Sequence, residues 1–207
     1  MNTKKVYWAG HEGRDIVDED SEYVPNAKNA VDFIIDTIMD NDKEITVIAI
    51  GPLTNIAVAM LKEPRICDKV KEIITMGGAA KPGTPIELPN GTTHYLKQLE
   101  HNYHSDPEAT KIVLESGAPI ILVGLDVTLR TRLTRPSIDE FGSIDSPLAA
   151  ALFRQMNIYS NHCKRDWLYM HDPLAVGVCL DPTIVRQETA SVNVLLAPDY
   201  VAGHVVA

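Results

Sequence analysis

Short apolar runs alternate with stretches of helical periodicity along most of this sequence, and no other feature constrains the fold as strongly. Residues 26–41 place Ala27, Ala30, Val31, Ile34, Ile35, Ile38 and Met39 on one helical stripe, with Lys28, Asp32 and Asp36 off it. The run 45–50 (ITVIAI), bounded by polar residues and Gly51-Pro52, predicts a strand buried on both faces. A helix follows at 53–62, then a strand at 71–78 that ends in glycines. The stretch 79–105 has no clear period and is rich in Gly, Pro, Thr and His. A connection of that length inside a domain usually has a functional role or is disordered. The alternation resumes with a helix at 106–117, opened by Asp106-Pro107 and closed by Gly117. A strand at 119–127, helices at 146–162 and 172–180, and a strand at 190–198 complete the series. Such alternation predicts an α/β fold with an open, largely parallel sheet flanked by helices, in one domain over 1–207. Ligands bind beyond the carboxyl ends of strands in sheets of this kind.

Composition narrows the function classes. The 45% hydrophobic and 23% charged fractions suit a chain that buries a core and exclude a disordered one. The net charge of −9 argues against a protein that tracks nucleic-acid phosphates, but leaves room for a nucleoside, which carries none. Cys67, Cys163 and Cys179 form no C-x-x-C pair, which suggests neither a disulfide framework nor a zinc cage and points to a reducing, cytoplasmic compartment. The N-terminus lacks an apolar signal core, and no apolar run approaches the roughly 18 residues of a membrane span.

Four segments could carry chemistry. In Tyr169-Met170-His171-Asp172-Pro173, His171 reads as a proton donor or as a local structural group. Asp172 reads as a metal ligand or as the N-cap of the next helix. Gly51-Pro52-Leu53-Thr54-Asn55 either exposes backbone groups to a ligand or simply ends a strand, with Thr54 or Asn55 capping the helix. Met76-Gly77-Gly78 permits close backbone approach, or is an ordinary turn. Glu100 and Asn102, two residues apart on extended chain, point the same way and could hold vicinal sugar hydroxyls; the alternative is a solvated loop. The acidic run Asp15 to Glu22 reads as a solvated surface segment. Tyr95, Tyr103, Trp167 and Tyr169 are candidates to stack on an aromatic base, or to pack.

In order, Gly51-Pro52-Leu53-Thr54-Asn55, Met76-Gly77-Gly78, Glu100-x-Asn102 with Asp106-Pro107-Glu108-Ala109, Gly124-Leu125-Asp126-Val127-Thr128 and His171-Asp172-Pro173-Leu174-Ala175 resemble the inosine-uridine preferring nucleoside hydrolases. Gly10-His11-Glu12-Gly13 resembles a degraded form of that family's His-Gly loop. The resemblance implies an enzyme of nucleoside salvage, a nucleoside N-ribohydrolase (a glycosidase acting on N-glycosyl bonds) that yields ribose and free base. It also implies one bound Ca²⁺, with the Thr54 backbone carbonyl and the Asp172 carboxylate among its oxygen ligands. Glu100 and Asn102 would hold ribose hydroxyls, Met76 and His11 would contact substrate, and His171 would protonate the leaving base. That chemistry needs groups that stabilise oxocarbenium-like charge on the sugar and an acid for a poor leaving group.

The sequence departs from the family in an asparagine of the long loop, with Asn90 out of register, in the segment Asp199 to Ala207, which resembles one that normally continues, and above all in its aspartates. Members carry an Asp-x-Asp-x-x-x-Asp-Asp cluster after a buried strand, and Asp15, Asp18 and Asp20 do not have that spacing. Thr54 and Asp172 alone are too few for Ca²⁺. The chain therefore reads as a shortened member, its sheet incomplete at both ends with an exposed edge, weak or inactive alone. The alternative is a non-catalytic nucleoside-binding or regulatory subunit of a full-length relative. The partners implied are a small ribonucleoside and, at the protein level, a second copy or a full-length relative; no nucleic acid and no membrane are implied.

Overall fold

The computed structural model describes residues 24–81, 83–88, 90–96, 99–196, 202–203 and 205–206. They fall into two compact units, one built from residues 27–130 and 171 onward, the other from residues 131–170.

The first unit opens with α1 (Ala30–Asp40), which starts later than its apolar stripe because the Asn29 side chain accepts from the Asp32 N–H and caps it. Then come β1 (Thr46–Ala49), α2 (Thr54–Lys62), α3 (Ile66–Lys69) and β2 (Glu72–Met76). The stretch 79–105, read as aperiodic, contains the hairpin β3 (Pro85–Glu87) and β4 (Thr93–Tyr95) and the short helix α4 (His101–Ser105). Next are α5 (Pro107–Leu114), with Asp106 as its N-cap as expected, β5 (Ile120–Val123) and α6 (Leu125–Thr128).

Strands β1, β2 and β5 form a parallel sheet in that order, with Thr46 opposite Glu72 and Met76 opposite Val123. Side chains alternate across β2. Ile73 packs with Ile38, Ile56, Met60 and Val113 from α1, α2 and α5. Ile74 and Met76 face the other way, into a cluster with Val123, Leu174, Ala175 and Val178. The double burial expected of 45–50 thus belongs to β2. Among the described residues β1 borders only β2, and Ala49 is its one buried position.

The second unit pairs β6 (Arg132–Thr134) antiparallel with β7 (Trp167–Tyr169), with α7 (Arg135–Ser143) and α8 (Pro147–Cys163) between them in sequence. Trp167 and Tyr169 pack edge to face at 4.7 Å, and the Arg132 and Arg165 guanidiniums each lie 5.0 Å from the Trp167 ring centre.

The chain then returns to the first unit with α9 (His171–Leu180) and the two-residue strands β8 (Asn193–Val194) and β9 (Val205–Val206). Among the described residues, the strand expected at 190–198 is represented by β8, which pairs antiparallel with β9 and not with the parallel sheet. No helix among the described residues is long and apolar enough to cross a membrane.

Candidate functional site

The carboxyl ends of β2 and β5 are tied together by a run of hydrogen bonds that collects most of the residues singled out in the sequence. Met76 ends β2, almost fully buried, and Gly77-Gly78 follow. Both positions require glycine. A Cβ on Gly77 would lie 2.1 Å from the Tyr103 ring, and Gly78 has a φ of +73°.

Glu100 caps α4 and is 4% exposed. Its carboxylate accepts from three backbone N–H groups, those of Asn102 (2.8 Å), Tyr103 (3.0 Å) and Gly78 (3.1 Å). The Asn102 amide donates to the Met76 carbonyl at 2.9 Å and reaches the Met76 sulfur at 3.4 Å. The structure therefore brings Met76, Glu100 and Asn102 together, but not by the extended geometry expected. Glu100 is a helix cap and Asn102 stands in the first turn of that helix. A carboxylate has about four acceptor sites, and three of those on Glu100 are spent on backbone.

The Gly78 carbonyl accepts from the Leu125 N–H at 2.9 Å, and Asp126 accepts from the Ala80 N–H at 3.3 Å. At the end of α6, the buried Thr128 hydroxyl lies 2.7 Å from His171 Nδ1. Burial pushes the His171 imidazole below its ordinary pKa and pushes the half-buried Asp172 carboxyl above its own. Because α9 begins at His171, Asp172 lies inside its first turn, and the N-cap reading of Asp172 is replaced.

At the end of β1, Leu53 is buried and α2 begins at Thr54 without a side-chain cap, so neither Thr54 nor Asn55 caps that helix. The Thr54 hydroxyl instead donates to Asp106, whose other oxygen accepts from the Ala109 N–H. Ca²⁺ takes about six to eight oxygen ligands. Among the described residues no group of three or more His, Cys, Asp or Glu could hold a metal, and the Thr54 carbonyl and Asp172 carboxylate do not make up such a set. The described donor set does not fit Ca²⁺.

His11 and the acidic run from Asp15 to Glu22 lie outside the described residues. Of the aromatic candidates, Tyr103 is 0% exposed and cannot stack on a base. Trp167 and Tyr169 are engaged with each other within the second unit. Thr128 received no individual role from the sequence; its signals are its place just after an apolar strand segment and its membership of the Gly124-Leu125-Asp126-Val127-Thr128 motif.

The chain is of the parallel α/β class, in which ligands bind beyond the carboxyl ends of the strands, and Glu100, Asn102 and His171 lie at that edge. The model of the inosine-uridine preferring nucleoside hydrolase family matches residues 2–207, and the chain belongs to that family. It is 33% identical over 171 residues to the pyrimidine-specific ribonucleoside hydrolase RihB of Shigella flexneri, covering 80% of this chain and 51% of the relative. Among solved structures, the purine-preferring ribonucleoside hydrolase from Gardnerella vaginalis aligns at TM-score 0.79 and 32% identity, over 93% of this chain and 59% of that one. The plant nucleoside hydrolase PpNRh1 aligns at TM-score 0.83 and 26% identity, over 99% of this chain and 63% of that one. The chain spans about half the length of the curated relatives it matches.

Proposed function

We propose that this chain serves hydrolysis of the N-glycosidic bond of ribonucleosides, contributing the ribose-facing and leaving-group part of the site. In that reaction water adds to the ribose C1′, the bond from C1′ to the base nitrogen breaks, and the base leaves with a proton. Met76, Glu100 and Asn102 form the sugar wall, and His171 protonates the departing base. The observation that carries this reading is the hydrogen-bonded path from Glu100 through Gly78 and Leu125 to the end of β5, where Thr128 meets His171. A shared hydrogen-bonded sheet edge supports reading these residues as one site. The names of the relatives divide between pyrimidine and purine nucleosides, so ribose is the element the proposal assigns to the chain.

Burial holds the His171 imidazole below its ordinary pKa, which makes its protonated form a stronger acid toward a departing base. Its bond to Thr128 fixes the plane of the ring. Glu100 orients the wall through the backbone of Gly78 more than through its own contact with the sugar. The chain acts in nucleoside salvage, with a second copy or a longer relative as its protein partner.

A second reading, nucleoside binding without turnover, is favoured by the small oxygen-donor set among the described residues. Ribose release from uridine and inosine, measured with Ca²⁺ and with EDTA, separates the two. Slow release that is lost in His171→Ala supports hydrolysis. Saturable binding without release supports the second reading, and a folded chain that does neither overturns both. Release abolished by EDTA would show a working metal site and contradict the conclusion drawn from the donor set.

A further inference from the structure

Tyr103 has no access to solvent, yet it touches the residues on both sides of Met76. Its hydroxyl lies 3.3 Å from Thr75 Oγ1, the residue before Met76. Its ring lies against the two glycines after Met76. A Cβ built on Gly77 would meet Cε1, Cδ1 and Cζ at 2.1–2.6 Å, and one on Gly78 would meet the opposite ring edge at Cε2, 2.8 Å away. Its backbone N–H donates to Glu100, the same carboxylate that holds the Gly78 N–H. From the far side, Gly203 approaches so closely that a Cβ there would lie 2.6 Å from the Tyr103 carbonyl oxygen. Tyr103 is thus held at its hydroxyl, along two opposite ring edges and at its backbone.

We propose that Tyr103 is a positioning residue for sugar recognition: wedged under the turn after β2, it fixes the Met76 carbonyl and through it the Asn102 amide. The inference rests on the reading of Met76 and Asn102 as part of the sugar wall. The physical argument is one of register. Thr75 and Gly77 flank Met76, so a ring fixed to both leaves the Met76 carbonyl little freedom. The Asn102 amide hydrogen-bonded to that carbonyl inherits the constraint. Displacement of a binding group by even about 1 Å is enough to cost large factors in a site of this kind. Only glycine at positions 77 and 78 lets the ring lie this close.

The test compares Tyr103→Leu, Tyr103→Phe and a control, Val113→Ala. Val113 is equally buried, in α5, and serves as a destabilised variant with the turn left intact. Two quantities are read on each folded protein: affinity for uridine and inosine, and hydrogen exchange of the Asn102 side-chain amide by NMR. Tyr103→Leu is expected to weaken nucleoside binding by about tenfold and to speed amide exchange by a similar factor. Tyr103→Phe, which keeps the wedge, is expected to restore affinity to within about threefold, and Val113→Ala to change neither reading beyond about twofold. Wild-type affinity and exchange in Tyr103→Leu, or equal effects in Val113→Ala, would overturn the proposal.

If the wild-type chain binds neither nucleoside, the functional reading fails on its own. The positioning claim is then decided by exchange alone: faster in Tyr103→Leu supports it, unchanged overturns it. Should Tyr103→Leu not fold, Tyr103→Met, which also removes the ring that contacts Gly77 and Gly78, carries the test, with faster Asn102 exchange supporting the claim and wild-type exchange overturning it.

Discussion

His171 Nδ1 lies 2.7 Å from the buried hydroxyl of Thr128, joining residues 43 positions apart in sequence. The contact sets the plane of the imidazole where β5 and α6 end. Thr128→Val keeps the shape but leaves a half-buried imidazole nitrogen without this partner. The expected result is a loss of about 1 kcal/mol in the free energy of urea unfolding, largely regained in Thr128→Ser. Equal stability of Thr128→Val and wild type would show that the bond is not formed in solution.

Glu100 holds three backbone N–H groups with one carboxylate. Glu100→Gln replaces an acceptor oxygen with an NH₂ that faces donors. Urea unfolding is expected to show a loss of about 2–3 kcal/mol, because a buried charge-assisted set is broken and a donor is left opposed to a donor. A neutral substitution would mean the carboxylate faces solvent or ligand and does not bind the turn.

Gly77 and Gly51 make a matched pair of alanine substitutions. A methyl group at Gly77 would enter the Tyr103 ring, whereas one at Gly51 would meet nothing within 4 Å. Gly77→Ala is expected to destabilise by about 2 kcal/mol or more, and Gly51→Ala by no more than about 0.5 kcal/mol. Thermal or urea unfolding of the two proteins decides the matter, and similar midpoints would contradict the packing of Tyr103 beneath the turn.

Burial pushes the Tyr103 phenol well above its ordinary pKa of 10.0. The native state therefore holds this proton more tightly than the unfolded state does. The stability so conferred is intact below about pH 10 and declines as pH rises through the raised native value. Between pH 9 and 11 the melting temperature of the wild type should fall more steeply than that of Tyr103→Phe. Parallel curves would place the phenol in contact with water.

Much of the site was legible because its residues sit where apolar strand segments stop. Met76-Gly77-Gly78 followed a buried run, and His171 preceded an apolar helix. The partners of those residues were not legible. Glu100 read as a group for sugar hydroxyls, yet it binds a turn 22 residues earlier, a pairing set by tertiary contact that no local spacing encodes. Tyr103 read as a base-stacking candidate because burial leaves no mark on a lone tyrosine next to polar neighbours. In the fold, long periodic segments such as α1 and α8 declared themselves. The three-residue strands β3, β4, β6 and β7 did not, because a single alternation carries no period. The run 45–50 has the composition of a doubly covered strand, but coverage depends on neighbours, and β1 has one among the described residues.

The central claim is that Met76, Glu100 and Asn102 form a wall for the ribose of a nucleoside. Calorimetric titration of the folded 207-residue chain with uridine and with inosine, beside Asn102→Ala, tests it most directly. The account predicts saturable binding of nucleoside by the wild type, weakened by about tenfold or more when the buried amide is removed. Heats of dilution alone from a folded wild-type chain, or equal affinity in Asn102→Ala, would contradict it.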